Sequence, residues 1–122
     1  MNAVGIDVSK GKSMIAIMRP LGEVVATPFE VGHTATELNE LAKFILKISG
    51  ETRVVMEYTG VYFEPIARAL YDAGLTVCVV HAQLIHNYGN NTIRKIKTDK
   101  ADAIKIANYA LDNWSKLKPY TP

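Results

Sequence analysis

"NAVGIDVSKGKSMIAIMRPLGEVVATPF", residues 2–29, decides the fold. Residues 2–9 carry β-branched side chains at alternate positions and close on the turn Ser9-Lys10-Gly11-Lys12, the pattern of a strand. Residues 13–19 make a second strand, and "RPLG" turns the chain with Pro20 at the second turn position and Gly22 at the fourth. Residues 23–29 make a third, in which Pro28 lacks the N–H that a central strand would use and so points to a sheet edge. Three strands on connections this short form an antiparallel meander.

Helices and strands alternate downstream. Thr34 followed by Glu37 is a capping box, and Leu38, Leu41, Ala42 and Ile45 recur at helical spacing. Residues 52–58, "TRVVMEY", read as a fourth strand, and residues 60–74 as a second helix starting near Tyr62, with Pro65 in its first turn and Gly74 as its C-terminal cap. "LTVCVV", residues 75–80, is a fifth strand, apolar except at Thr76, as a strand covered on both faces should be. Residues 81–97 have no clear period, and residues 99–114 form the last helix. The order is βββαβαβα, and its helical crossovers predict an α/β fold with a mixed five-stranded sheet and helices on both faces. That is the element order of the ribonuclease H-like fold.

At 122 residues the chain is one domain with enough length for a real core, and 48% hydrophobic with 21% charged residues is a globular balance. The net charge of +2 is too small to imply a nucleic-acid partner by itself; the position of the charge matters more. Five basic residues, Arg94, Lys95, Lys97, Lys100 and Lys105, fall in "NNTIRKIKTDKADAIK", residues 90–105. The lone Cys78 lies in an apolar run and offers no disulfide framework, no apolar run is as long as a membrane span, and the N-terminus has no signal-peptide pattern. A soluble, cytoplasmic protein is the expectation.

Four carboxylates carry the chemistry. Side chains alternate along a strand, so Val4, Ile6 and Val8 face one way and Ala3, Gly5 and Asp7 the other. Arg53, Val55 and Glu57 likewise share a face of the fourth strand. If the first and fourth strands pair in parallel, Asp7 and Glu57 sit side by side at the strand ends, where open sheets with crossovers place ligands. On the last helix Asp99 and Asp102 fall within the apolar stripe of Ala103, Ile106, Ala110 and Trp114, while Lys105, Asn108 and Asp112 lie on the other, solvated side. Helix-start chemistry, with Asp99 as N-cap, would explain the residue types but not why both acids turn inward. Four converging carboxylates would repel one another, and two divalent cations would relieve that; Mg²⁺ prefers such hard oxygen ligands.

Three motifs carry a resemblance to a known family: "VGIDVSK" at residues 4–10, "MEYTGVYFEPIARAL" at 56–70 and "KTDKADAIKIA" at 97–107. In this order and spacing the chain resembles the N-terminal RuvC-like domain of the DEDD-type insertion-sequence transposases, related to the pilin-gene invertases. The resemblance implies Asp7, Glu57, Asp99 and Asp102 as a catalytic set holding two Mg²⁺ ions, with Mn²⁺ as substitute. It implies a DNA transposase or recombinase that cleaves and transfers strands. It also implies a guide RNA and a homo-oligomer in the full-length protein, whose second domain carries a catalytic serine. Residues 1–115 are then the catalytic domain and residues 116–122, "KLKPYTP", the start of a linker. The fragment alone is not expected to complete strand exchange.

Lys10, Lys12, Arg94, Lys95, Lys97 and Lys100 lie close in sequence to these acids and are candidates for nucleic-acid phosphates, with solvated turns and loops as the alternative. Thr59 reads as the cap of the second helix or a substrate contact, and Tyr58, Tyr62, Tyr88 and Tyr109 as packing residues able to stack on bases. Two other functions remain open. The first hairpin resembles the phosphate loop of sugar kinases and actin-like proteins, though Ser9-Lys10 replaces the usual Gly-Thr and no second phosphate loop follows. A non-catalytic RNA-binding module would use the basic segment but would have no need of four acids.

Overall fold

Strand β1 (Asn2–Ser9) occupies the middle of a five-stranded sheet. On one side it pairs antiparallel with β2 (Lys12–Arg19), which pairs with the edge strand β3 (Glu23–Gly32). On the other it pairs in parallel with β4 (Thr52–Glu57), and β4 in parallel with β5 (Thr76–Val80). The structure is a computed structural model and describes residues 1–89 and 98–122. Helix α1 (Ala35–Leu46) connects β3 to β4, and α2 (Glu64–Asp72) connects β4 to β5. A short α3 (Ala82–Asn87) and a long α4 (Asp99–Asp112) follow.

The predicted meander, parallel pairing and mixed sheet are all present. Pro28 does lie on an edge strand, and the β2–β3 ladder is irregular beside it: Ile15 pairs with Phe29 but Ile17 with Ala26, so β3 carries an extra residue there. A bulge is where a strand can include a residue without an N–H. At the start of α1 the Thr34 hydroxyl accepts the Glu37 N–H at 3.1 Å, and the Glu37 carboxylate reaches back to the Gly32 N–H. Helix α2 starts later than its sequence suggests, at Glu64. Gly60 has φ of +65°, which interrupts a right-handed helix, and Pro65 fits only a first turn. Helix α3 was not predicted; six residues are too few for a helical period to show.

Each face of the sheet has its own core. Val4, Ile6 and Val8 join Ile15, Ile17, Val54 and Met56 beneath α1 and α2. Ala3, Val55 and Cys78 meet Ile106, Ala107 and Ala110 of α4 on the other face. Large side chains such as Ile6, Met56 and Ile106 are fully buried, each worth about 1.5–3 kcal/mol. Small residues on the second face let α4 come very close. A β-carbon added to Gly5 would lie 2.5 Å from the Ala107 nitrogen and 2.9 Å from its β-carbon, and against the Ala103 carbonyl oxygen. Arg53 anchors the chain just after α4: its guanidinium stacks over Trp114 at 4.6 Å and donates to the Trp114 carbonyl at 2.6 Å.

The β5 edge is met by the tail. The Tyr120 N–H donates to the Val77 carbonyl at 2.6 Å, and its ring packs edge-on against Phe63 and Tyr71. No helix among the described residues is long and apolar enough to cross a membrane.

Candidate metal centre

The parallel register places two acids on one edge of the sheet. Ile6 of β1 pairs with Met56 of β4, and the next residue on each strand is Asp7 and Glu57. Both strands alternate so that these side chains share the face covered by α4, together with Ala3, Gly5, Arg53 and Val55. The close approach of Ala103 and Ala107 to Gly5 then sets how near α4 lies to this face. Thr98, not Asp99, caps this helix, its hydroxyl accepting the Ala101 N–H at 3.1 Å. With the cap supplied by Thr98, Asp99 and Asp102 both stand in the first turn with their carboxylates free of capping.

One oxygen from each of Asp7, Asp99 and Asp102 can be chosen so that all lie within 4.8 Å of one another. Glu57 is outside that tight group but lines the same cavity, of about 250 Å³, with Ser9, Ile85, His86, Lys105 and Ile106. The electrostatics follow from this crowding. Burial raises the Asp7 pKa first, and the nearby charges of Asp102, Asp99 and Glu57, with a hydrogen bond to Asp99, raise it further, to about 7. A carboxyl hydrogen-bonded to another carboxyl at neutral pH is a site short of positive charge. The donors fit a hard divalent cation: the close group is all carboxylate oxygen, with no sulfur among its members.

The remaining candidates divide. Lys10 and Lys12 are exposed in the β1–β2 turn, and Lys12 lies 3.6 Å from Glu30. Lys100 is exposed in the first turn of α4. Arg94, Lys95 and Lys97 lie outside the described residues. Thr59 does not cap α2, whose N-cap is Phe63; its hydroxyl oxygen is buried with no hydrogen-bond partner among the described residues. Tyr88 and Tyr109 pack edge to face at 5.6 Å, whereas Tyr58 and Tyr62 are exposed. Two cavity residues escaped the sequence reading. Lys105 falls on the flank of α4 rather than its solvated back, because α3 folds against that flank. His86, which reads from the sequence as structural because it lacks a metal-ligand spacing with Cys78, sits on α3 itself, an element with no sequence signal, and lines the cavity.

The chain is similar in structure to RuvC of Thermus thermophilus. Against that protein in complex with a Holliday junction substrate the TM-score is 0.70 at 13% identity, covering 98% of this chain and 99% of the other. A second RuvC structure from the same organism gives 0.67 at 13% identity, covering 98% and 100%. This likeness shows the ribonuclease H-like fold predicted from the element order. No curated protein matches the chain. The transposase family of the DEDD, IS110 type matches residues 4–122, nearly the whole chain. The chain belongs to the IS110-type DEDD transposases and has the RuvC-like, ribonuclease H-like fold.

Proposed function

We propose that this domain supplies the metal-dependent part of DNA strand cleavage and transfer in the full-length transposase, with two Mg²⁺ ions, replaceable by Mn²⁺, held by Asp7, Glu57, Asp99 and Asp102. The carrying observation is the meeting of Asp7 with Asp99 and Asp102, from opposite ends of the chain, with oxygens within 4.8 Å. Cations bound there would supply activation of an attacking oxygen and stabilisation of a leaving one on a phosphodiester. The protein's own part is to hold the ligands in place. The β1–β4 register sets Asp7 beside Glu57, and the Gly5 contact sets the height of Asp99 and Asp102 above them. Asp7 also carries a proton that cation binding must displace, because its pKa is near 7.

Lys10 and Lys12 in the β1–β2 turn and Lys100 in the first turn of α4 are exposed and would meet the DNA backbone, and Arg94, Lys95 and Lys97 would extend the set. Family membership supports a guide RNA and a homo-oligomer as further partners of the full-length protein.

Calorimetric titration of the metal-free protein with Mn²⁺ tests the reading. Saturable binding is expected, tightening as pH rises through about 7, since a proton on Asp7 competes with the cation. Asp102→Asn should weaken binding at least tenfold, on the order of the loss seen when a metal site is disturbed. A wild-type protein with no Mn²⁺ affinity at any pH above 7 would sink the proposal.

A further inference from the structure

A lysine lines the cavity beside the acids. Lys105 follows Asp102 by three residues on α4 and is half-buried, and Ser9 and His86 line the same space. A lysine so near four acids would ordinarily close onto one of them. Among the described residues it forms no ion pair within 4 Å, and its ammonium lies instead 3.5 Å from the His86 carbonyl oxygen. That carbonyl is well supported. Ile85 is buried beneath α3, the Tyr88 ring packs on Tyr109, and the Tyr88 hydroxyl donates to Asp112 of α4 at 2.5 Å. The short helix α3 is thus fastened to α4 on both sides of the residue that holds the lysine.

We propose that Lys105 is a phosphate-binding residue: it takes an oxygen of the DNA phosphodiester that lies at the carboxylate cluster, with the His86 carbonyl keeping its side chain in the cavity. The inference rests on the proposed nuclease reading and adds a ligand contact that the acids cannot make. Carboxylates repel a phosphate and can approach it only through cations; an ammonium set among them attracts it directly. Ser9 adds a neutral donor on the β1 side of the same space. A lysine serves here as a point charge, tolerant of the phosphate's orientation.

The test uses the full chain, a short fluorescent DNA duplex and Ca²⁺, with salt titrations of affinity for the wild type, Lys105→Gln and Lys105→Arg. Lys105→Gln is expected to bind several-fold more weakly and to lower the slope of log affinity against log salt by about 1, the loss of one phosphate contact. Lys105→Arg should restore the slope. Mn²⁺ affinity measured by calorimetry should be equal or tighter in Lys105→Gln, since a cation has been removed from beside the metal ligands.

An unchanged DNA affinity and slope in Lys105→Gln, with Mn²⁺ binding intact, would overturn this inference and leave the metal site standing; the lysine would then only neutralise the acids. Parallel loss of Mn²⁺ binding and melting temperature in Lys105→Gln would also overturn it, assigning the residue to the fold. A wild type that binds neither Mn²⁺ nor DNA would remove both proposals together.

Discussion

Gly5→Ala is expected to lower the melting temperature by about 10 °C or more and to abolish Mn²⁺ binding in whatever fraction stays folded. The added methyl has nowhere to go: the Ala107 nitrogen is 2.5 Å away and the Ala103 carbonyl is also in contact, both of them backbone rather than movable side chain. Overpacking costs about 1–3 kcal/mol where side chains can shift, and a rigid helix backbone puts this case at the top of that range. About 3 kcal/mol in a domain of this size corresponds to the stated change in melting temperature. Loss of metal affinity follows because relief of the clash requires α4 to lift, and α4 carries Asp99 and Asp102. Gly11→Ala is the control. Its φ of +76° gives some strain, but no atom lies within 4 Å, so about 1 kcal/mol is expected. Equal melting temperatures for the two variants would show that α4 does not lie as close to β1 as described.

The metal-free protein is expected to lose stability as pH rises from about 4 to about 7, the reverse of a domain whose acids are paired with bases. Asp7 titrates near 3.8 when unfolded and near 7 when folded. Between those values the folded state binds the extra proton, so its stabilisation is complete below about 4 and is lost as pH climbs through about 7. A shift of three units would set a ceiling of about 4 kcal/mol, but Asp7 is only half-buried, and screening by solvent reduces this to about 1–2 kcal/mol. Asp7→Asn should therefore melt about 5 °C higher than wild type at pH 8 in chelator and no higher at pH 4. Saturating Mn²⁺ should reverse the order at pH 8. A wild-type melting temperature that rises from pH 4 to pH 7 in chelator would mean that Asp7 is not crowded by its neighbours.

Local chemistry made much of this legible before any coordinates. Pro28 could not have been in a central strand, and the alternation of Ala3, Gly5 and Asp7 against Val4, Ile6 and Val8 already separated the two cores. The inward turn of Asp102 was readable from its place in the stripe of Ala103, Ile106 and Ala110. What stayed hidden depended on neighbours rather than on period. Thr98 and Asp99 are both good N-caps, and only the geometry of the turn chose between them. The delayed start of α2 reflects the left-handed Gly60, whose conformation follows from the turn that leads out of β4. Lys105 looked solvated because its helix was read alone; α3, too short to announce itself, changes what that flank faces. Glu57 was expected among the acids and does line their cavity, but it stands outside the tightest group, a distance that strand register does not specify.

The last residues form a hem on the sheet. A strand edge offers its free N–H and C=O groups to any other strand, and proteins that leave one bare tend to stick to themselves. The β3 edge is spoiled for that purpose by its bulges and by Pro28. At the β5 edge it is Tyr120 that occupies the Val77 carbonyl and shields Phe63 and Tyr71. Trimming this domain just after Lys116 would therefore uncover the β5 edge to pairing with other strands while leaving its carboxylates, and the Arg53–Trp114 contact, in place. The fragment would keep its carboxylate cluster and present an uncovered strand edge.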